Sequence, residues 1–173
     1  MKVVALVSGG KDSCYAMMEC VRFGHEIVCL AHLHPPSELA ADDAEIDSFM
    51  FQSVGHQSVA LIAQSMELPL VSETITGTAV KTEIDYHESA AGDEVEDLYR
   101  LLEKVKQQFP GVEGVCTGAI FSSYQRNRVE NVCVQFAEAV DVVGALGTDF
   151  LTAGQVLEAR AHVAWIPVAK GAD

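Results

Sequence analysis

The sequence predicts a single-domain α/β fold: a mainly parallel sheet flanked by helices. Three observations lead there. A β-branched run, Val3-Val4-Ala5-Leu6-Val7, stands near the start; a glycine turn and a helix-patterned stretch follow; a second apolar run spans Ile27 to Leu33. Strand, helix and strand within about thirty residues make a βαβ unit. Its crossover is right-handed and leaves the two strands parallel.

Val3–Val7 reads as a buried strand, being short, apolar and ended by a turn. Ser13 to Phe23 reads as a helix with Met17, Met18 and Val21 on its apolar side and Gly24 just past its end. Ile27–Leu33 is the second strand, stopped by His34-Pro35-Pro36, which cannot continue a central ladder. Pro35 to Asp47 is an acidic loop, and Ser53 to Met66 is helical, with Val54, Leu61, Ile62 and Ala63 available to the core. Leu68–Ile75 forms a third strand and Thr76–Gly92 is irregular. Asp93, with Glu96 three positions on, resembles a capping box. The helix it opens runs to Gln108 and carries Val95, Leu98, Leu101, Leu102 and Val105 at helical spacing. After Pro110-Gly111 come a fourth strand, Val115–Ala119, a loop over Ile120–Tyr124, and a helix from Asn127 to about Val140. Val129, Val132, Cys133 and Phe136 face inward on that helix, and beyond it Gly144, Gly147, Gly154 and Pro167 interrupt the pattern.

Composition narrows the function classes. The 173 residues suit one domain with a real core. No apolar run reaches the roughly 18 residues of a membrane helix, and Met1-Lys2 leads straight into a strand without a signal-peptide pattern. The five cysteines include no C-x-x-C pair, so neither a disulfide framework nor a zinc site is indicated, and a cytoplasmic protein is expected. The net charge is −14, and no Lys or Arg lies between Arg22 and Lys81, where eight acidic residues do. That balance argues against a nucleic-acid partner, whose binders concentrate cations on one face.

Ser8-Gly9-Gly10-Lys11-Asp12-Ser13 is the strongest chemical signal. Glycines between a strand and a helix N-terminus let backbone N–H groups approach phosphate oxygens, and the helix dipole adds about half a positive charge. Lys11 brings a mobile cation, and Ser8 and Ser13 bring hydroxyls. The spacing fits neither the Walker A loop nor the dinucleotide G-x-G-x-x-G. It resembles the PP-loop of ATP pyrophosphatases, which cleave ATP between its α- and β-phosphates. The resemblance implies a PP-loop or HUP-like fold (adenine nucleotide alpha hydrolase-like), with adenine against Ala31 and Leu33 after the second strand. His32 and His34 either line that pocket or are loop histidines without a role.

The second signal is Gly118 to Glu130: a strand end, small residues, then Arg126 and Arg128 entering a helix. In an open parallel sheet the loops after strands 1, 2 and 4 converge at one edge. Gly118, Ala119, Arg126 and Arg128 therefore join the expected phosphate site, with Arg128 offering a bidentate fork. The competing reading pairs an arginine with Glu130 or the acidic surface.

Four blocks then carry a wider resemblance: Gly9–Tyr15, Phe51–His56, Gly92–Leu98 and Gly118–Cys133. Together they are similar to the ATP-binding diphthamide-synthesis family of diphthine–ammonia ligases, over about residues 1–133. The resemblance implies that ATP adenylates the diphthine carboxylate on elongation factor 2, pyrophosphate leaves, and ammonia displaces AMP. Ser8–Ser13 would bind the phosphates, with Lys11, Asp12 and Arg128 catalytic and Asp12 helping to hold Mg²⁺ or ordering the loop. His56 would lie near substrate or serve structure, and the Asp93–Asp97 cluster would meet a cationic partner or cap its helix in water. After Cys133 the chain departs from the family, whose members carry an E-G-G-E-[YF]-E-T segment absent here. The expected organisation is an ATP-binding domain over 1–133 and a divergent, poorly ordered segment over 134–173. The alternatives are a truncated form that binds ATP without turnover and a related PP-loop enzyme acting on tRNA.

Overall fold

The computed structural model describes residues 1–36, 48–52, 55–86, 88–119 and 122–139. In chain order the elements are β1 (Lys2–Leu6), α1 (Lys11–Arg22) and β2 (Glu26–His34). A 3-10 turn (His56–Ser58) leads into α2 (Val59–Ser65), followed by β3 (Leu70–Thr74), α3 (Val95–Gln108), β4 (Gly114–Cys116) and α4 (Ser123–Ala139). The four strands form one parallel sheet in the order β3-β2-β1-β4, the architecture the sequence predicts. The chain steps outward from β1 to β3, then crosses back to lay β4 on the other side of β1. The order reverses between β1 and β4, and ligands bind in the crevice at such a reversal.

Each face of the sheet has its own core. Val3, Ala5, Val7 and Leu30 pack with Ala16, Met17 and Cys20 of α1 and Val59 and Ala63 of α2. Val4, Ala31, Leu33 and Val71 pack with Leu98, Leu101 and Val105 of α3 and Val129 and Val132 of α4. Strand side chains alternate between faces, and one irregularity shifts the phase. Val3 pairs with Ile27 but Val4 pairs with Cys29, so Val28 is an extra residue on β2. Val28 and Cys29 consequently face the same core.

Some expected core positions are turned outward. Met18 and Val21 are 68% and 57% exposed. The inner row of α1 is Ser13, Ala16, Met17 and Cys20, an i, i+3, i+4, i+7 stripe that small residues keep close to the sheet. Leu61 is exposed for the same reason, because Val59 and Ala63 occupy the inner row of α2. β4 stops at Cys116 rather than Ala119. α4 starts at Ser123 rather than Asn127, where the Ser122 hydroxyl accepts the Gln125 N–H and its carbonyl accepts the Arg126 N–H. Val54, Ile120, Phe121, the Phe136 side chain, most of the acidic loop and everything beyond Ala139 lie outside the described residues. The expected boundary at Cys133 falls within α4.

The acidic start of α3 is neither a solvated helix end nor a free docking patch. Asp93, Glu94 and Asp97 are buried, and each grips a different segment. Asp93 accepts the Val95 N–H through Oδ1 and the Lys81 N–H through Oδ2. Its own N–H goes to the Ala90 carbonyl, so the reciprocal half of a capping box is missing. Glu94 accepts the Ser48 hydroxyl at 2.5 Å and the Met50 N–H at 2.9 Å. Burial pushes its carboxyl above the usual range, against the pull of these donors. Asp97 accepts the Thr76 and Gly77 N–H groups and the Thr76 hydroxyl, and it pairs with Arg100. Replacing Asp97 by Ala takes the acceptor from two part-buried N–H groups and the partner from Arg100, and the expected loss is about 2 kcal/mol of stability. Asp97→Asn keeps one acceptor oxygen and should lose about half as much, as read from urea unfolding midpoints.

Candidate functional site

A cavity of about 190 Å³ opens where β1, β2 and β4 end. The loop after β1 contributes Ser8, Asp12 and Ser13; β2 contributes Ala31 and Leu33; the exit of β4 contributes Thr117, Gly118 and Ala119. Seven of the residues proposed from sequence therefore share one space. Its apolar wall comes from Leu98 and Leu101 of α3 and Val129 of α4, and its rim from Met50, Phe51 and Gln52. Sequence reading assigned Leu98, Leu101 and Val129 to the core alone. They belong to core stripes whose upper ends run past the sheet, and periodicity cannot mark where a stripe leaves the core. Gln125 was missed because its role is geometric: Nε2 donates to the Met50 carbonyl at 2.9 Å and ties the rim to α4.

The N-terminus of α1 enters this cavity without a side-chain cap. The Ser13 hydroxyl donates to the Gly10 carbonyl, so it closes the turn rather than capping an N–H. Free N–H groups at a helix start suit an anion. Gly9 adopts φ +85°, a conformation that favours glycine. A side chain there would strike the Gly55 carbonyl, so the loop rests directly on the backbone before the 3-10 turn. Gly9, Gly10 and Lys11 form the outer arc of the loop rather than the cavity wall. Lys11 is 88% exposed and its Nζ meets Asp12 Oδ1 at 2.9 Å.

The two arginines are not at this site. Arg128 is fully buried, and its guanidinium donates to the carbonyls of Tyr124, Lys81 and Glu83. It lies 3.3 Å from the ring centre of Tyr124 and 4.8 Å from that of Tyr86. Such an arginine cannot offer a fork to phosphate; it anchors residues 81–83 to α4. Arg126 Nε donates to Glu130 Oε1 at 2.7 Å, one turn along the helix. The pairing that sequence reading held as the competing account is the one observed.

The histidines also differ from expectation. His32 and His34 belong to β2 and neither lines the cavity. The His32 ring points to the opposite face from Ala31 and Leu33, and Nδ1 lies 2.8 Å from the Val7 carbonyl. Burial above all, with smaller contributions from His34 and His56, lowers its pKa to about 4. Cys116 is buried and Cys14 half-buried, so neither presents an exposed thiol to the cavity. Among the described residues, no group of three or more His, Cys, Asp and Glu side chains could hold a metal, and no helix is long and apolar enough to cross a membrane.

A family model described as the diphthamide synthase N-terminal domain matches residues 1–137. The chain belongs to this family. It is 55% identical over 135 residues to a diphthine–ammonia ligase of Danio rerio, covering 78% of this chain and 51% of that protein. The Homo sapiens protein of the same name is 53% identical over 133 residues, 77% of this chain and 49% of that one. For Saccharomyces cerevisiae the values are 42% over 134 residues, with coverage of 77% and 19%. The chain thus spans about half the length of the vertebrate relatives, and the matched half contains the whole cavity just described.

Two tests follow from this geometry. A Cβ on Gly118 would sit 2.6 Å from the Ser13 nitrogen and 2.7 Å from the Asp12 carbonyl carbon, both backbone atoms. Gly118→Ala must therefore push α1 away from β4, at a cost of about 1–3 kcal/mol in a melting experiment. His32 tests a different link. Its folded pKa lies below the ordinary imidazole value, so the unfolded chain takes the proton first. Its stabilising contribution is complete above about pH 6.5 and falls as the pH drops towards 4, by about 3 kcal/mol at most. Unfolding free energies across that window should fall with a one-proton slope that His32→Asn removes.

Proposed function

We propose that this chain binds ATP at the Ser8–Ser13 loop and uses it to activate a carboxylate for attack by ammonia. The carboxylate is that of diphthine on elongation factor 2. The observation that carries the reading is the uncapped α1 N-terminus opening into the same cavity as Ala31, Leu33 and Gly118. In a family whose relatives are named diphthine–ammonia ligase, an anion-ready helix start beside the apolar side chains of Leu33, Leu98, Leu101 and Val129 supports a nucleotide there.

The chemistry proceeds in two displacements. A carboxylate oxygen attacks the α-phosphorus, the α–β bridging bond breaks and pyrophosphate leaves. Ammonia then attacks the acyl carbon, the bond to the phosphate oxygen breaks, and AMP leaves with an amide formed and one proton released to solvent. Charge grows on the pyrophosphate in the first step. The N–H groups at the start of α1 would stabilise it, and the Lys11 ammonium, exposed on the outer arc of the loop, would swing inward to join them. Asp12 faces the cavity with a half-exposed carboxylate and would repel phosphate on its own. It fits Mg²⁺, which keeps several waters and takes one or two carboxylates together with substrate phosphates. Bound there, the ion would neutralise phosphate charge. Adenine would occupy the slot formed by Ala31 and Leu33 against Leu98 and Leu101.

A second reading, ATP binding without turnover, draws support from the family match ending at residue 137. One experiment separates the two: the full chain with ATP, Mg²⁺, ammonium and diphthine-bearing elongation factor 2. AMP formed only with every component present supports the ligase. ATP binding without AMP supports the second reading. Lys11→Ala should weaken ATP binding by about tenfold, the factor typical of one lost charge-assisted contact, and abolish AMP formation. An unchanged dissociation constant in that variant removes the loop from the site.

A further inference from the structure

Pairing of β1 with β2 reaches Leu6 and Ala31, and one more ladder bond runs from the Val7 N–H to the Ala31 carbonyl at 2.9 Å. The Val7 carbonyl comes next, immediately before the loop begins at Ser8. A side chain serves it: His32 Nδ1 lies 2.8 Å away. A carbonyl only accepts, so Nδ1 carries the proton and the tautomer is fixed. The ring is 4% exposed, and Nε2 is buried without a hydrogen-bond partner among the described residues.

That orphaned nitrogen is informative. A buried acceptor without a donor is a cost that an apolar side chain of similar size would not carry. Leucine here would remove that orphan but strand the Val7 carbonyl instead, so core stability alone gives the imidazole no advantage over leucine beside Val7, Leu30 and Val59 on the same face. The imidazole is distinguished from leucine by a single directed bond, and that bond ends on the peptide from which the phosphate loop departs. The flanking residues Ala31 and Leu33 line the cavity on the other face. One strand thus supplies the slot wall and, from its back, the hold on the loop.

We propose that His32 is a positioning residue for the phosphate loop. Its Nδ1–H fixes the Val7 carbonyl, hence the direction in which Ser8 and Gly9 leave the sheet and the aim of the α1 N-terminus. The proposal rests on the ATP reading above, so its test has one arm that needs no nucleotide. Backbone amide exchange at Val7 and Cys14, the hydrogen-bonded amides on either side of the loop, should rise about tenfold in the full ligand-free His32→Leu chain, the factor of one ordinary hydrogen bond, while amides of α3 stay unchanged. His32→Asn, whose amide nitrogen can take the place of Nδ1, should restore protection; His32→Gln, which extends past it, should not. The dissociation constant for ATP with Mg²⁺ should follow the same order, with the melting temperature of His32→Leu close to that of the parent chain, because one unpartnered acceptor replaces another. The parent's ¹⁵N spectrum should show the Nδ1–H tautomer, a readout that needs no variant. Unchanged exchange and affinity in His32→Leu, a fall in affinity that merely tracks melting temperature, or an Nε2–H tautomer would each overturn the positioning role. If the parent chain binds no ATP, the nucleotide reading falls and takes with it the purpose given to His32.

Discussion

Three buried carboxylates at the N-terminal end of one helix hold the irregular segments around it together. Burying an anion is costly unless its lone pairs are met by donors. At the start of α3 two things meet that demand: the helix dipole favours negative charge there, and each carboxylate is surrounded by N–H and O–H groups from elsewhere in the chain. Glu94 holds Ser48 and Met50, Asp93 holds Lys81, and Asp97 holds Thr76 and Gly77. Segments without regular structure thus acquire fixed positions from a single turn. The rim of the cavity is among them, because Met50 stands between Glu94 and Gln125.

Arg128 solves the same problem with the opposite sign. It is a buried cation whose partners are carbonyls and aromatic faces rather than carboxylates. It takes the carbonyls of Lys81 and Glu83 while Asp93 takes the Lys81 N–H. The peptide groups flanking Lys81 are therefore held from both sides, by α4 and by α3. This is why the two helices that wall the cavity act together with the chain that crosses over them.

The difference between backbone partners and side-chain partners explains what the sequence made legible. The βαβ start, the parallel sheet, the convergence of three loops and seven of the seventeen cavity residues could be read in advance. They rest on local periodicity, glycine spacing and the topology of crossovers. Arg126, Arg128 and the acidic cluster were misplaced because their partners are mostly peptide groups, which any residue supplies and no letter identifies. A buried acid and a solvated one look alike in sequence until the fold brings an N–H to it. Met18, Val21 and Leu61 failed for a related reason. Hydrophobicity suggested an inner row, but distance to the sheet selected the smaller residues Ala16, Cys20 and Ala63.

The withdrawal of both arginines changes the electrostatics that any anion meets in the cavity. In a chain of net charge −14, the positive field at the Ser8–Ser13 loop comes from the peptide dipoles of α1 and from Lys11. Lys11 is solvent-exposed and already paired with Asp12. A water-exposed ammonium beside a carboxylate projects little field at a distance, so the dipoles carry the larger share until a ligand excludes water. On the proposed reading, a bare polyphosphate would meet Asp12 as a like charge, whereas a metal-bound one would meet it as a ligand. On that reading, Asp12 in the first turn of α1 would discriminate between the two forms of the nucleotide. Lys11, freed from Asp12 once a cation occupies that carboxylate, would then be available to the leaving pyrophosphate.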